Sequence, residues 1–227
     1  MMRLKRTVKI IVDMAMTCLF FYLMGYQVVR GLMNHALCGI ALFALFLLHH
    51  LLNLAWYKAL FKGRYPLRRV LLTASDSLLL IAMALMAASS VMMSGSVFSF
   101  SHVPMTQLGH DLHVCSTAWG FMLMGFHLGL HTHAPLEKVR KKLQGTAFEY
   151  VWYLLLLLML CGGIYCFARS GLWSDLFLLR AIKTPFSDFG NFCLACGGIL
   201  SGLCFMAHML LIAVSGRGKR KASLGSA

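Results

Sequence analysis

Residues 35–49 read HALCGIALFALFLLH and residues 113–127 read HVCSTAWGFMLMGFH, two apolar stretches each opened and closed by a histidine. In a helix, 14 residues advance about 21 Å and return to within about 40° of the starting face. Each stretch therefore carries one imidazole near each end of a membrane-length rod, both on the same side. Two such rods laid side by side bring four rings into an upper pair, His35 with His113, and a lower pair, His49 with His127.

The rest of the chain supplies the membrane setting. Of its 227 residues 59% are hydrophobic and 12% charged, far from soluble averages. The pattern predicts an all-α integral membrane protein with six transmembrane helices, over about 8–29, 33–54, 70–93, 110–132, 148–168 and 189–214. Residues 1–216 form one transmembrane domain and 217–227 a basic tail. The net charge of +14 does not mark a nucleic-acid partner, because the charges lie in loops. Arg3, Lys5, Arg6 and Lys9 precede span one, and Lys58, Lys62, Arg64, Arg68 and Arg69 join spans two and three. Lys138, Arg140, Lys141 and Lys142 join spans four and five, and Arg217, Lys219, Arg220 and Lys221 follow span six. Only Arg30, Arg169, Arg180 and Lys183 fall on the other side, so both termini are expected in the cytoplasm.

The apolar run after Arg6 is too long for a signal-peptide core and meets no small-residue cleavage site before Arg30, so it reads as a retained helix. The eight cysteines are scattered through the spans. Cys193 and Cys196 form a C-x-x-C with no second pair and no following histidine, which speaks for helix packing over metal binding or covalent haem attachment.

An internal repeat supports the pairing. His35 to His113 and His49 to His127 are both shifts of 78 residues, and Ser94-Gly95 recurs as Ser170-Gly171. Spans two and four run the same way, as in a parallel repeat about the membrane normal. Ten histidines make the choice of four worth defending. Around span four only His113 with His127 gives the separation found in span two; His110 and His131 give longer ones. His131, one turn below His127, is the substitute ligand, with His110 a further alternative. His50 points about 100° away from His49 and is expected to meet a polar group such as Asp76. A lone intramembrane histidine is explained by an interhelical hydrogen bond, but four in this pattern form a candidate site.

Two pairs of facing imidazoles stacked across a bilayer suit two b haems, each held by two axial histidines: His35 and His113, His49 and His127. Such an iron has no open position, so it carries electrons rather than activating ligands. Gly39, one turn after His35, and Gly125 and Gly129 around His127 leave room for a flat macrocycle or for a neighbouring helix. Gly198 and Gly202 read as packing. Arg30 outside and Arg68 and Arg69 inside are candidates to meet haem carboxylates. The segment 171–187 reads as a short interfacial helix over the outer haem or a docking point for a partner.

At these residues the chain resembles the flavinylation-associated membrane cytochromes b. The stretches that carry the resemblance are His35 through Trp56, ending in HHLLNLAWYK, then MMSGSVF, and HVCSTAWGFMLMGFHLGLH from His113. They cover about residues 30–135; spans five and six match less distinctively. The resemblance implies a small bacterial protein of the cytoplasmic membrane. It implies electron relay between the quinone pool and a separate flavin-bearing or other redox protein outside. It selects the same four histidines. The chain has no G-x-G-x-x-G of its own, so its redox partners are separate molecules. A quinone site near His50 and Asp76 is an expectation from depth and polarity. Two other readings are a transporter for a soft metal ion, suggested by the abundant His, Met and Cys, and a haem-containing anchor subunit of a larger redox complex.

Overall fold

Long apolar segments cannot leave backbone polar groups unpaired in lipid, and helices pair them internally. A computed structural model describes residues 2–29, 31–93, 106–179, 186 and 188–224. The described chain is helical, with no strand among those residues: α1 (Met2–Met24), α2 (Tyr26–Val29), α3 (Leu32–Leu52), α4 (Leu54–Ala59), α5 (Leu67–Met93), α6 (Gln107–Leu143), α7 (Phe148–Ser170), α8 (Leu172–Leu176) and α9 (Phe189–Leu224).

Five of these, α1, α3, α5, α7 and α9, are long and apolar enough to cross a membrane, so by length and composition this is a multi-pass membrane protein. The sixth expected span lies in α6, which has the length, 37 residues, but a more polar composition. The physical reason is its position. Helix α6 packs against α5 and α9 and also touches α1, α7 and α8. It buries Ala118, Phe121, Met124, Gly129 and Leu130. A rod enclosed by other rods need not turn an apolar face to lipid all round. It can carry Ser116, Thr117 and five histidines along its length.

Helix ends depart from the expected spans at several points, and the first span, expected over 8–29, is interrupted at Gly25 between α1 and α2. The second span was expected to reach residue 54, but the chain turns at Asn53, whose N–H bonds the His50 carbonyl, and α4 starts afresh. Helix α9 continues to Leu224, so most of the expected basic tail prolongs the helix.

Close crossings follow small residues. A Cβ on Gly163 of α7 would stand 2.7 Å from the Gly202 Cα of α9, so Gly202 packs as expected, with Gly198 on the same contact. Gly129 of α6 meets α9 in the same way, 2.6 Å from the Cys204 Cα. The first half of the expected interfacial segment is α8, which lies on the upper end of α6. Trp119 Nε1–H donates to the Leu176 carbonyl at 2.9 Å, and Leu172, Ser174 and Leu176 are buried. Arg180 and Lys183, and the expected Ser94-Gly95 repeat, lie outside the described residues. Below the apolar zone, Arg140 forks onto Glu137 at 2.6 and 2.8 Å, which holds the Glu137 carboxyl below its usual range.

Candidate functional site

The upper level is built by α3 and α6. His35 lies in the first turn of α3, where its N–H bonds the carbonyl of the N-cap Gly31 at 2.9 Å, and its ring faces His113 with centroids 6.3 Å apart and planes at 71°. Two imidazoles that hold one metal from opposite sides have centroids about 6 Å apart: two metal–nitrogen bonds of about 2.0 Å and roughly 1.1 Å from each nitrogen to its ring centre. The interplanar angle is free, since each plane need only contain the nitrogen–metal axis.

The proton positions at His113 follow from its neighbours on α5. Its Nδ1 lies 3.3 Å from Ser89 Oγ and 3.4 Å from Ser90 Oγ. Both hydroxyls donate to the Met86 carbonyl, at 3.0 and 2.7 Å. Their oxygens can therefore only accept from the ring. Nδ1 carries the proton and Nε2 keeps its lone pair, which is the form a metal ligand needs. His35 has the Tyr26 ring beside it at 5.0 Å.

At the lower level each histidine is held by a carboxylate on the helix that precedes it. Asp13 of α1 accepts from His49 Nδ1 at 2.7 Å, and Asp76 of α5 from His127 Nδ1 at 2.9 Å. Asp76 and Ser90 are 14 residues apart on α5, the same interval that separates His127 and His113 on α6. One helix thus supplies the acceptors for both ligand positions of its neighbour. Asn53 links the lower ends of α1 and α3, receiving from Lys9 at 2.9 Å and donating to the His49 carbonyl at 2.8 Å.

The two lower rings make no contact with each other among the described residues. His127 leans on His131, with centroids 4.4 Å apart, and His49 on His50 at 5.4 Å. His131, the substitute ligand, shares His127's carboxylate: its Nε2 is 3.5 Å from Asp76. Ligand atoms of Asp76, His127 and His131 all fall within 4.8 Å of one another. The expected meeting of His50 with Asp76 is replaced by a bond from His50 to the Tyr57 hydroxyl at 2.8 Å, since Asp76 is taken by α6. His50 Nε2 is buried without a partner, and Phe46 covers the ring at 4.3 Å. His110 is exposed and lies 3.4 Å from Asp111.

An apolar layer separates the levels. Leu42 is seven residues from both His35 and His49, and Gly120 seven from both His113 and His127. Phe20, Leu42, Met83, Phe121 and Met124 are buried together here, with Phe20 edge-on to Phe121 at 6.4 Å.

Helix α3 packs along α1, and its backbone makes little approach to that of α6. Gly39 has nothing within 4 Å of the place its Cβ would occupy. Gly125 and Gly129 are different, being covered by Leu203, Cys204 and Ala207 of α9. Of the three glycines expected to give clearance, only Gly39 borders open space. Arg69 is committed elsewhere, donating to the carbonyls of Ala59 and Arg64 and stacking over Tyr65 at 4.1 Å. Arg30 lies outside the described residues.

One pair escaped the sequence reading. His208 of α9 is fully buried, its Nδ1 2.9 Å from His133 Nδ1 and its Nε2 without a partner. Its signal was a lone histidine in an otherwise apolar span. Family models, curated proteins and solved structures give no match to this chain.

Proposed function

We propose that the chain is a dihaem b-type cytochrome that carries electrons across a membrane. The observation that carries this reading is the His35–His113 pair, whose 6.3 Å spacing suits one metal clasped between two imidazoles. Support also comes from open Gly39 and from neighbours that put the proton on Nδ1 of His49, His113 and His127.

His35 and His113 would hold the upper haem, and His49 and His127 the lower; His131 is the other candidate for the position assigned to His127. When bound, each haem supplies a one-electron couple and no open coordination site. Ser89, Ser90, Asp13 and Asp76 orient the ligand rings. Phe20, Leu42 and Phe121 keep water out of the layer between levels. In this reading α6 is a sixth span, both termini are cytoplasmic, and the membrane is a bacterial cytoplasmic membrane. The partners are membrane lipid, a quinone or quinol, and a separate flavin-bearing or other redox protein outside, as the resemblance of residues 30–135 to the flavinylation-associated cytochromes implies. His50 and Tyr57 take the place of His50 and Asp76 as the polar pair best placed to meet a quinone headgroup on the inner side.

A soft-metal site is the second reading, favoured by the cluster of Asp76, His127 and His131. Metal analysis and absorbance on the purified protein separate the two. Two low-spin b haems per chain, with His35→Ala and His127→Ala each removing one, are the expected result. A colourless protein carrying zinc or copper, lost in His131→Ala, would refute the cytochrome and leave the metal site.

A further inference from the structure

The two histidine levels differ in one chemical respect that spacing does not reveal. Below, both Nδ1 protons go to carboxylates, at 2.7 and 2.9 Å. Above, among the described residues, His113 has only neutral serine oxygens at 3.3 and 3.4 Å, and His35 has the flank of Tyr26. From this contrast we infer that Asp13 and Asp76 are positioning residues that hold an iron at the lower level to a more negative reduction potential than one at the upper level. The inference rests on the cytochrome reading.

A carboxylate that accepts the Nδ1 proton makes the ring a stronger base at Nε2. A more basic ligand favours the ferric over the ferrous state, and a nearby negative charge does the same. A serine hydroxyl already spent on a carbonyl offers a longer and weaker acceptor with no charge. The basic loops below oppose the effect, but less strongly. Arg69 is tied to its own loop and Lys9 to Asn53. Charges in water are screened over about 8 Å, whereas the two carboxylates act by direct contact. Asp76 should act more strongly than Asp13, since its side chain is 16% exposed against 51%.

The difference gives the molecule a direction. With irons held by His49 and His127 below and by His35 and His113 above, one electron would pass from the lower, oxidised from ferrous to ferric, to the upper, reduced from ferric to ferrous. With the lower side cytoplasmic, the downhill path runs outward.

Redox titration of the purified protein, followed at the haem absorbance bands, tests this. His35→Ala retains the lower haem and His127→Ala the upper, so the pair assigns the two steps. The His35→Ala protein should titrate at the more negative potential. Within it, Asp76→Asn should raise the potential, Asp13→Asn raise it less, and Asp76→Glu restore it; Ser90→Ala should leave it in place. If the His35→Ala protein titrates at or above the His127→Ala protein, or if Asp76→Asn leaves the lower step unmoved, the inference is overturned while the cytochrome reading stands. Protein without haem would instead defeat the cytochrome reading itself.

Discussion

A methyl group added at three glycines should have three different effects, and the structure fixes their order. At Gly129 the new Cβ would stand 2.6 Å from the Cys204 Cα and 2.8 Å from the Ala207 Cβ. Ordinary carbon contact begins near 3.5 Å, so α6 and α9 must part by about 1 Å. Backbone cannot rotate out of the way as a side chain can. A radial gap of about 1 Å forfeits up to roughly half of each contact's attraction, here at the seam formed by Leu130, Ala207 and Leu211. Overpacking of this kind costs about 1–3 kcal/mol, or about 2–12 °C in melting temperature for a chain of this length. At Gly125 the nearest atoms are the flexible ends of Leu203 and Leu200, at 2.9 and 3.1 Å, which can yield, with the Leu203 Cβ at 3.1 Å needing only a small shift. Gly125→Ala should therefore lose less. At Gly39 nothing lies within 4 Å, and alanine should gain up to about 1 kcal/mol from helix propensity in protein free of cofactor. Thermal unfolding in detergent, read by the loss of monodisperse protein, ranks the three. Equal melting temperatures for Gly129→Ala and Gly39→Ala would refute the packing argument. If a macrocycle lies beside Gly39, Gly39→Phe should lower haem occupancy while the apoprotein keeps its fold.

Two further outcomes are expected. Trp119→Phe removes the donor to the Leu176 carbonyl and should cost about 1 kcal/mol, seen as faster hydrogen exchange across residues 171–179 with the rest of the chain unchanged. The Glu137–Arg140 fork stabilises the lower end of α6 with Glu137 ionised, and folding depresses the Glu137 pKa. The contribution is present above the unfolded value of about 4.3 and is lost as the pH falls through the folded one. Exchange protection of residues 137–143 should drop at acid pH in the native protein, and Glu137→Gln should abolish that dependence.

The helices were legible because apolar length is a strong signal: each expected span is helical along most of its length, although the first is interrupted at Gly25 and the second at Asn53. The expected span in α6 was less so, because that helix is more polar than the five long apolar ones. His35 and His113 meet as their spacing implied, since a shared interval puts two rings at one depth whatever surrounds them. The acceptors Asp13 and Ser90 were not read from the sequence. They lie 36 and 23 residues from the histidines they serve, intervals set by loop lengths that no helical period encodes. A usable signal existed all the same: Asp13 and Asp76 are the only acidic residues in the first and third expected spans, the spans that precede the histidine-bearing ones. The His50–Asp76 pairing failed for the complementary reason. Depth along a rod says nothing about which neighbour lies closest, and α6 stands nearer to Asp76 than α3 does.

The seating of α3 along α1 bears on how the chain is made. His35 and His49 leave the ribosome 78 residues before His113 and His127. At about 5–20 residues per second, that is roughly 4–16 s of synthesis. Through that interval the bond of His49 to Asp13, which needs only α1 and α3, can already form, whereas the His35–His113 contact and the bonds of His127 must wait for α5 and α6. The lower end of the first hairpin is thus set by its own residues, and its upper end only by a helix made later.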